Sequence, residues 1–198
     1  MLKTDCRPIA DRLNMTMTAQ TQIPTLADLE YTPYLDESGC IQEEPFQRKV
    51  GVYAVFDAEQ VLQFIGYSRD IYLSLKQHLI RRPQQCHWIK FQTIDRPSRT
   101  ILENIREAWI AENDRTPVGN GTDETQWTQP IDVKPLMSAE ERENFDRVAG
   151  EDIAQIKLLK KISRRVEAEV LAQLEQRGVT MPLRFNPKLK EKGLLDLK

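Results

Sequence analysis

The feature that most constrains this chain is a pair of short apolar runs separated by a polar turn. Val50, Gly51, Val52, Tyr53, Ala54, Val55 and Phe56 come first, and Asp57, Ala58, Glu59 and Gln60 interrupt them. Val61, Leu62, Gln63, Phe64, Ile65 and Gly66 then follow. β-branched and aromatic residues on both sides of a short polar segment predict a β-hairpin.

From Ser68 the period changes. Ile71, Leu75 and Leu79 recur every four residues, which predicts a helix capped by Ser68 or Asp70 and stopped by Pro83. Cys86, His87, Trp88, Ile89, Lys90, Phe91, Gln92, Thr93 and Ile94 read as a third strand. Ser98 is placed to cap a helix over about residues 99–113, with Ile101, Ile105, Ala108 and Trp109 as its core face. Pro117-Val118-Gly119-Asn120 ends it in a turn. The order β-β-α-β-α implies an α+β fold: a small antiparallel sheet flanked by helices.

The rest of the chain reads as additions to that core. Residues 1–20 are expected to be a mobile tail and residues 21–47 an acidic arm packed on the domain at 48–120. Residues 121–137 have linker composition. Residues 138–178 form an α-helical extension, opened by a capping box of Ser138 and Glu141 and closed at Gly178. Residues 179–198 form a C-terminal tail.

Composition excludes several classes. Of 198 residues, 40% are hydrophobic and 29% charged, the balance of a globular protein. A net charge of -2 argues against a generally basic nucleic-acid binder but leaves room for a local patch. Cys6, Cys40 and Cys86 are odd in number and lack CxxC spacing, so neither a disulfide framework nor a zinc site is indicated. No run approaches the roughly 18 apolar residues of a membrane span. Reduced thiols and no such span make a cytoplasmic location the expectation.

Gly51-Val52-Tyr53 and Phe64-Ile65-Gly66, with a helix after the second strand and Pro117-x-x-Asn120 closing a later one, resemble the GIY-YIG nuclease family. The resemblance covers about residues 48–120. It implies metal-dependent cleavage of phosphodiester bonds in DNA or RNA, with Mg²⁺ or Mn²⁺ as cofactor. By the resemblance, Tyr53 lies near the attacking water, His78 assists from the helix, and Asn120 orders the site. Glu107 becomes the metal ligand, with Glu103, one turn earlier on the same face, as competitor. The family's second tyrosine falls on Phe64 and its arginine on Ser74. Losing such a charged donor costs roughly a hundredfold or more in rate. Two functional expectations follow: a metal-dependent endonuclease, or an inactive module of this fold that binds nucleic acid or a protein.

The same residues have a plain structural reading. Tyr53 and Phe64 suit a packed sheet, and Glu103 and Glu107 suit a solvated helix. Trp88 and Trp109 are read as core. In the C-terminal helix, Lys157, Lys160, Lys161, Arg164 and Arg165 form one basic stripe, and Ile156, Leu159, Ile162, Val166 and Val170 form the opposite face. The stripe is a candidate surface for nucleic acid or a protein partner, salt-sensitive if it tracks phosphates.

Overall fold

A computed structural model describes residues 24–198. The expected tail at 1–20 lies outside those residues, as does the start of the arm. The sheet has four strands, β1 (Thr32–Pro33), β2 (Gly51–Phe56), β3 (Leu62–Ser68) and β4 (Trp88–Thr93), in the order β1-β4-β2-β3. Every pairing is antiparallel. The hairpin forms as β2 against β3, with Tyr53 opposite Gly66 and Val55 opposite Phe64. A bulge between Val55 and Phe56 shifts the register at its turn end.

Helix α1 (Ile71–Arg81) follows β3, and the Asp70 side chain accepts the Leu73 N–H at its start. Helix α2 (Arg99–Glu112) is capped in the same way by Ser98. Its buried residues are Leu102, Ile105 and Trp109. Ile101 and Ala108, expected in the core, are exposed; the buried stripe runs through Leu102 instead, one position round the helix from Ile101. Residues 121–137 contain structure of their own, helix α3 (Glu124–Thr128) and strand β5 (Ile131–Asp132). The capping box at Ser138 and Glu141 opens helix α4 (Ala139–Arg147). Helix α5 (Asp152–Gln176) ends near Gly178, whose φ of 78° favours glycine. In the tail, β6 (Leu194–Leu195) pairs antiparallel with β5.

All of β2 is buried, because both faces of the sheet are covered. Alternate side chains point to opposite faces. Val52, Ala54 and Phe56 join Leu102, Ile105 and Trp109 of α2 in one cluster. Tyr53 and Val55 join Leu75 and Leu79 of α1, Trp127 of α3, Ile162 and Val166 of α5, and Leu195 of β6 in the other. The result is an α+β sheet with helices on both sides, the C-terminal extension contributing to one of them. No described helix is long and apolar enough to cross a membrane.

Candidate functional site

Tyr53 and His78 meet. The Tyr53 hydroxyl oxygen and His78 Nε2 are 2.8 Å apart, joined by one hydrogen bond. Strand β2 supplies the tyrosine and α1 the histidine, and the residues are only 3% and 4% exposed. Phe64 from β3 lies 4.7 Å from the imidazole, centroid to centroid. Gly66 leaves room for the tyrosine, since a Cβ there would stand 2.9 Å from its hydroxyl and 2.5 Å from the Phe64 ring.

A fourth ring closes this pocket. Trp127 of α3 stacks on Phe64 at 5.1 Å with the planes 4° apart, and its ring is 5.4 Å from His78. Its segment is held down by Arg81, which donates to the Trp127 carbonyl at 2.8 Å and to Asp196 at 2.8 Å. That ion pair is almost wholly enclosed, with side-chain exposures of 5% and 12%. Arg82 adds an ion pair with Asp123 at 2.8 Å and a hydrogen bond to Gln126. Trp127 and Asp196 were not among the residues that sequence reasoning selected. A lone tryptophan in the polar stretch GTDETQWTQP was the available signal, because so large an apolar ring rarely belongs to a solvated linker.

Enclosure sets the chemistry. Burial, then the Arg81 charge, pushes the His78 imidazole down to about 3, so it is neutral near pH 7. His78 Nδ1 is buried and meets no hydrogen-bond partner among the described residues. Burial also holds the Tyr53 hydroxyl far above the ordinary phenol range. Both groups are neutral at ordinary pH, and the pair works as a polar contact within an aromatic core.

The other predicted residues lie elsewhere. Asn120, in a 3₁₀ turn (Val118–Asn120), accepts the Ile65 N–H and donates to the Ile65 carbonyl, both at 2.7 Å, and so extends the edge of β3. Gly119 permits this approach, since a Cβ there would come within 2.7 Å of the Gln63 carbonyl oxygen. Glu107 is exposed on α2, the helix that covers the opposite face of the sheet from Tyr53 and His78. Glu103 pairs with Arg99 at 2.8 Å and accepts from the Tyr67 hydroxyl at 3.2 Å; the Arg99 hydrogen bond lowers its carboxyl pKa. Ser74 donates to Ser68 at 2.8 Å. Among the described residues no group of three or more His, Cys, Asp or Glu side chains is placed to hold a metal ion.

The basic stripe is partly neutralised. Lys160 pairs with Glu191 at 2.9 Å, and Arg165 pairs with Glu141 and Glu169, each at 2.7 Å. Glu141 is also the capping-box residue of α4, so Arg165 ties that helix start to α5. Lys157, Lys161 and Arg164 are exposed. On the apolar side, Leu159, Ile162, Val166 and Val170 are buried as expected, whereas Ile156 is 37% exposed.

The thiols contrast. Cys86 is buried, and desolvation pushes its thiol up to about 12, which keeps it protonated. Cys40 is half-buried and free. Its loop is organised by Asp36, whose carboxylate accepts the Ser38 and Cys40 N–H groups at 2.9 and 3.0 Å. Cys40 Sγ lies 3.4 Å from Thr180 Oγ1. Cys6 lies outside the described residues.

No family model matches the chain. Over 74 residues it is 36% identical to the bifunctional monothiol glutaredoxin-S16, chloroplastic, of Arabidopsis thaliana, a match covering 35% of this chain and 25% of that protein. The chain therefore matches about a quarter of the length of this curated relative. That relative is named as a bifunctional protein and a monothiol glutaredoxin. This finding contradicts the GIY-YIG assignment and the endonuclease reading, and it does not support the alternative of an inactive module that binds nucleic acid or a protein. The GVY and FIG tripeptides are short, and in this molecule sheet packing accounts for them: Tyr53 and Phe64 are core rings, and Gly66 makes space between them.

Proposed function

We propose that this chain acts in a thiol-redox system of the glutaredoxin type, as a protein whose Cys40 exchanges a mixed disulfide with glutathione. The observation that carries this reading is the contrast between the half-exposed Cys40 and the sealed Cys86, taken with the similarity to a monothiol glutaredoxin. A catalytic thiol of that chemistry needs electropositive surroundings that stabilise a thiolate. Cys40 instead sits in a loop organised by the Asp36 carboxylate. This favours Cys40 as the thiol that is modified over the thiol that catalyses.

In the forward step the Cys40 thiolate attacks one sulfur of glutathione disulfide. A bond forms between Cys40 Sγ and that sulfur, and the glutathione S–S bond breaks. The second glutathione leaves as a thiolate and takes up the proton that Cys40 released. Removal is the same exchange in reverse, with glutathione as reductant and a monothiol glutaredoxin as the exchanging partner. A reducing compartment such as the cytoplasm is the setting we propose.

The test is incubation of the full chain with glutathione disulfide, followed by mass spectrometry with peptide mapping. One glutathione adduct at Cys40 is expected, absent from Cys40→Ser and removed faster by a monothiol glutaredoxin with glutathione than by glutathione alone. No adduct at Cys40, or removal that the glutaredoxin does not accelerate, overturns the reading.

A further inference from the structure

A separate cavity of about 360 Å³ opens between the N-terminal arm and the turn end of the hairpin. Leu26, Tyr31, Phe56 and Val61 supply apolar walls, and Lys90 and Glu112 its charged groups. The volume falls within the range of small-molecule sites.

Lys90 is the informative residue. It sits on β4, where a core-facing position would ordinarily be apolar, and it is only 6% exposed. Its Nζ donates to the Leu26 carbonyl at 3.0 Å and lies 3.4 Å from the Ala27 carbonyl. It stands 4.3 Å from the centre of the Tyr31 ring and 6.0 Å from that of Phe56. Carbonyl dipoles and ring faces offset part of the cost of burying an ammonium, but neither supplies a full negative charge.

Glu112 does not supply it either. Its carboxylate oxygens accept the Leu26 and Ala27 N–H groups at 2.6 and 2.8 Å. Lys90 belongs to none of the ion pairs formed among the described residues. A buried cation without a carboxylate partner therefore faces a cavity walled by Leu26, Tyr31, Phe56 and Val61, with Gln60, Asn113 and the backbone-bonded Glu112 as its other polar groups.

We infer that this cavity binds a small organic monocarboxylate with an apolar or aromatic body. The carboxylate accepts a charge-assisted hydrogen bond from Lys90, and the body rests against Tyr31, Phe56 and Val61. A phosphate ester fits less well, because one ammonium without an arginine beside it leaves most of its acceptor oxygens unmatched. A cationic ligand is repelled by Lys90.

The experiment is an NMR titration of the full chain with benzoate and, separately, with benzyl alcohol, which keeps the ring and removes the charge. Benzoate is expected to move the amide signals of Leu26, Ala27, Phe56 and Leu62, and to bind about tenfold or more tightly than benzyl alcohol. Lys90→Met removes that advantage. Val61→Trp narrows the mouth without touching the Lys90 hydrogen bonds and weakens benzoate binding, so the inference stays testable if Lys90→Met does not fold. Equal binding of the two probes, no shifts with benzoate, or benzoate shifts undiminished in Val61→Trp would overturn it.

Discussion

The two faces of β2 solve the same problem in different ways. The face carrying Val52, Ala54 and Phe56 is covered by α2 and the arm near Leu26; its packing is mostly apolar, and the buried Lys90 ammonium and Trp109 indole N–H on it donate to backbone carbonyls of the arm. The face carrying Tyr53 and Val55 is covered by α1, α3, α5 and the C-terminal tail. It encloses the Tyr53–His78 hydrogen bond and the Arg81–Asp196 ion pair within or beside the aromatic core. The first face depends mainly on apolar area. The second also depends on an enclosed side-chain hydrogen bond and an enclosed ion pair, whose members are costly to leave unpaired, and this makes it the more specific of the two and the more fragile.

The ion pair gives the largest expected effect. Asp196→Ala leaves the Arg81 guanidinium buried without its carboxylate and should destabilise the fold by about 3–5 kcal/mol in urea denaturation. Adding Arg81→Met to Asp196→Ala should recover much of that loss, because the isolated charge is then gone. If the double variant were as unstable as the single, the pair would be acting through packing and the distinction between the faces would weaken. On the apolar face, Ile105→Ala creates a cavity without orphaning a polar atom and should cost about 3 kcal/mol, with no recovery from a nearby charge removal.

Acid should separate the faces as well. The His78 value of about 3 lies below the ordinary 6.5 of an unfolded histidine. The unfolded chain therefore binds the extra proton between those values, and stability falls as pH drops through that window. Above pH 6.5 the term is constant. The slope from this group is about 1.4 kcal/mol per pH unit. His78→Gln should lower stability near pH 7 yet flatten the decline between about pH 6.5 and 4. An unchanged slope would show that His78 is not the group responsible.

The smaller effects lie at the edges. Asn120→Ala removes both hydrogen bonds to Ile65 and should cost about 1–2 kcal/mol, read from the urea midpoint and from faster amide exchange at Ile65. Arg165→Ala breaks partly exposed pairs and should cost about 1 kcal/mol or less, shrinking further in high salt. A loss from Arg165 equal to that from Asp196 would remove the contrast between enclosed and solvated ion pairs.

Local patterns were legible wherever the chain interacts with its near neighbours. The hairpin, the caps at Ser98 and Ser138, the antiparallel sheet and the long C-terminal helix all follow from spacing and short-range hydrogen bonding. The misreadings share a cause. Ile101 and Leu102 are both apolar neighbours, and only the way α2 lies on the sheet decides which is buried. Trp127 looked like part of a polar linker because its partners, Phe64 and His78, are distant in sequence. The nuclease resemblance rested on residue types that a packed core also selects, and the similarity to a glutaredoxin-named protein corrected it.

The sequence by itself determined the elements: periodicity, capping residues and turn chemistry act over a few positions and need no knowledge of the rest of the chain. Tertiary structure decided what those elements do. It buried Tyr53 and His78 under Trp127, paired Arg81 with Asp196 across most of the chain, sealed Cys86 and left Cys40 half-exposed. It also placed Lys90 at a cavity between arm and hairpin. Burial and long-range pairing are properties of which surfaces meet, and these set the protonation, access and charge of each site.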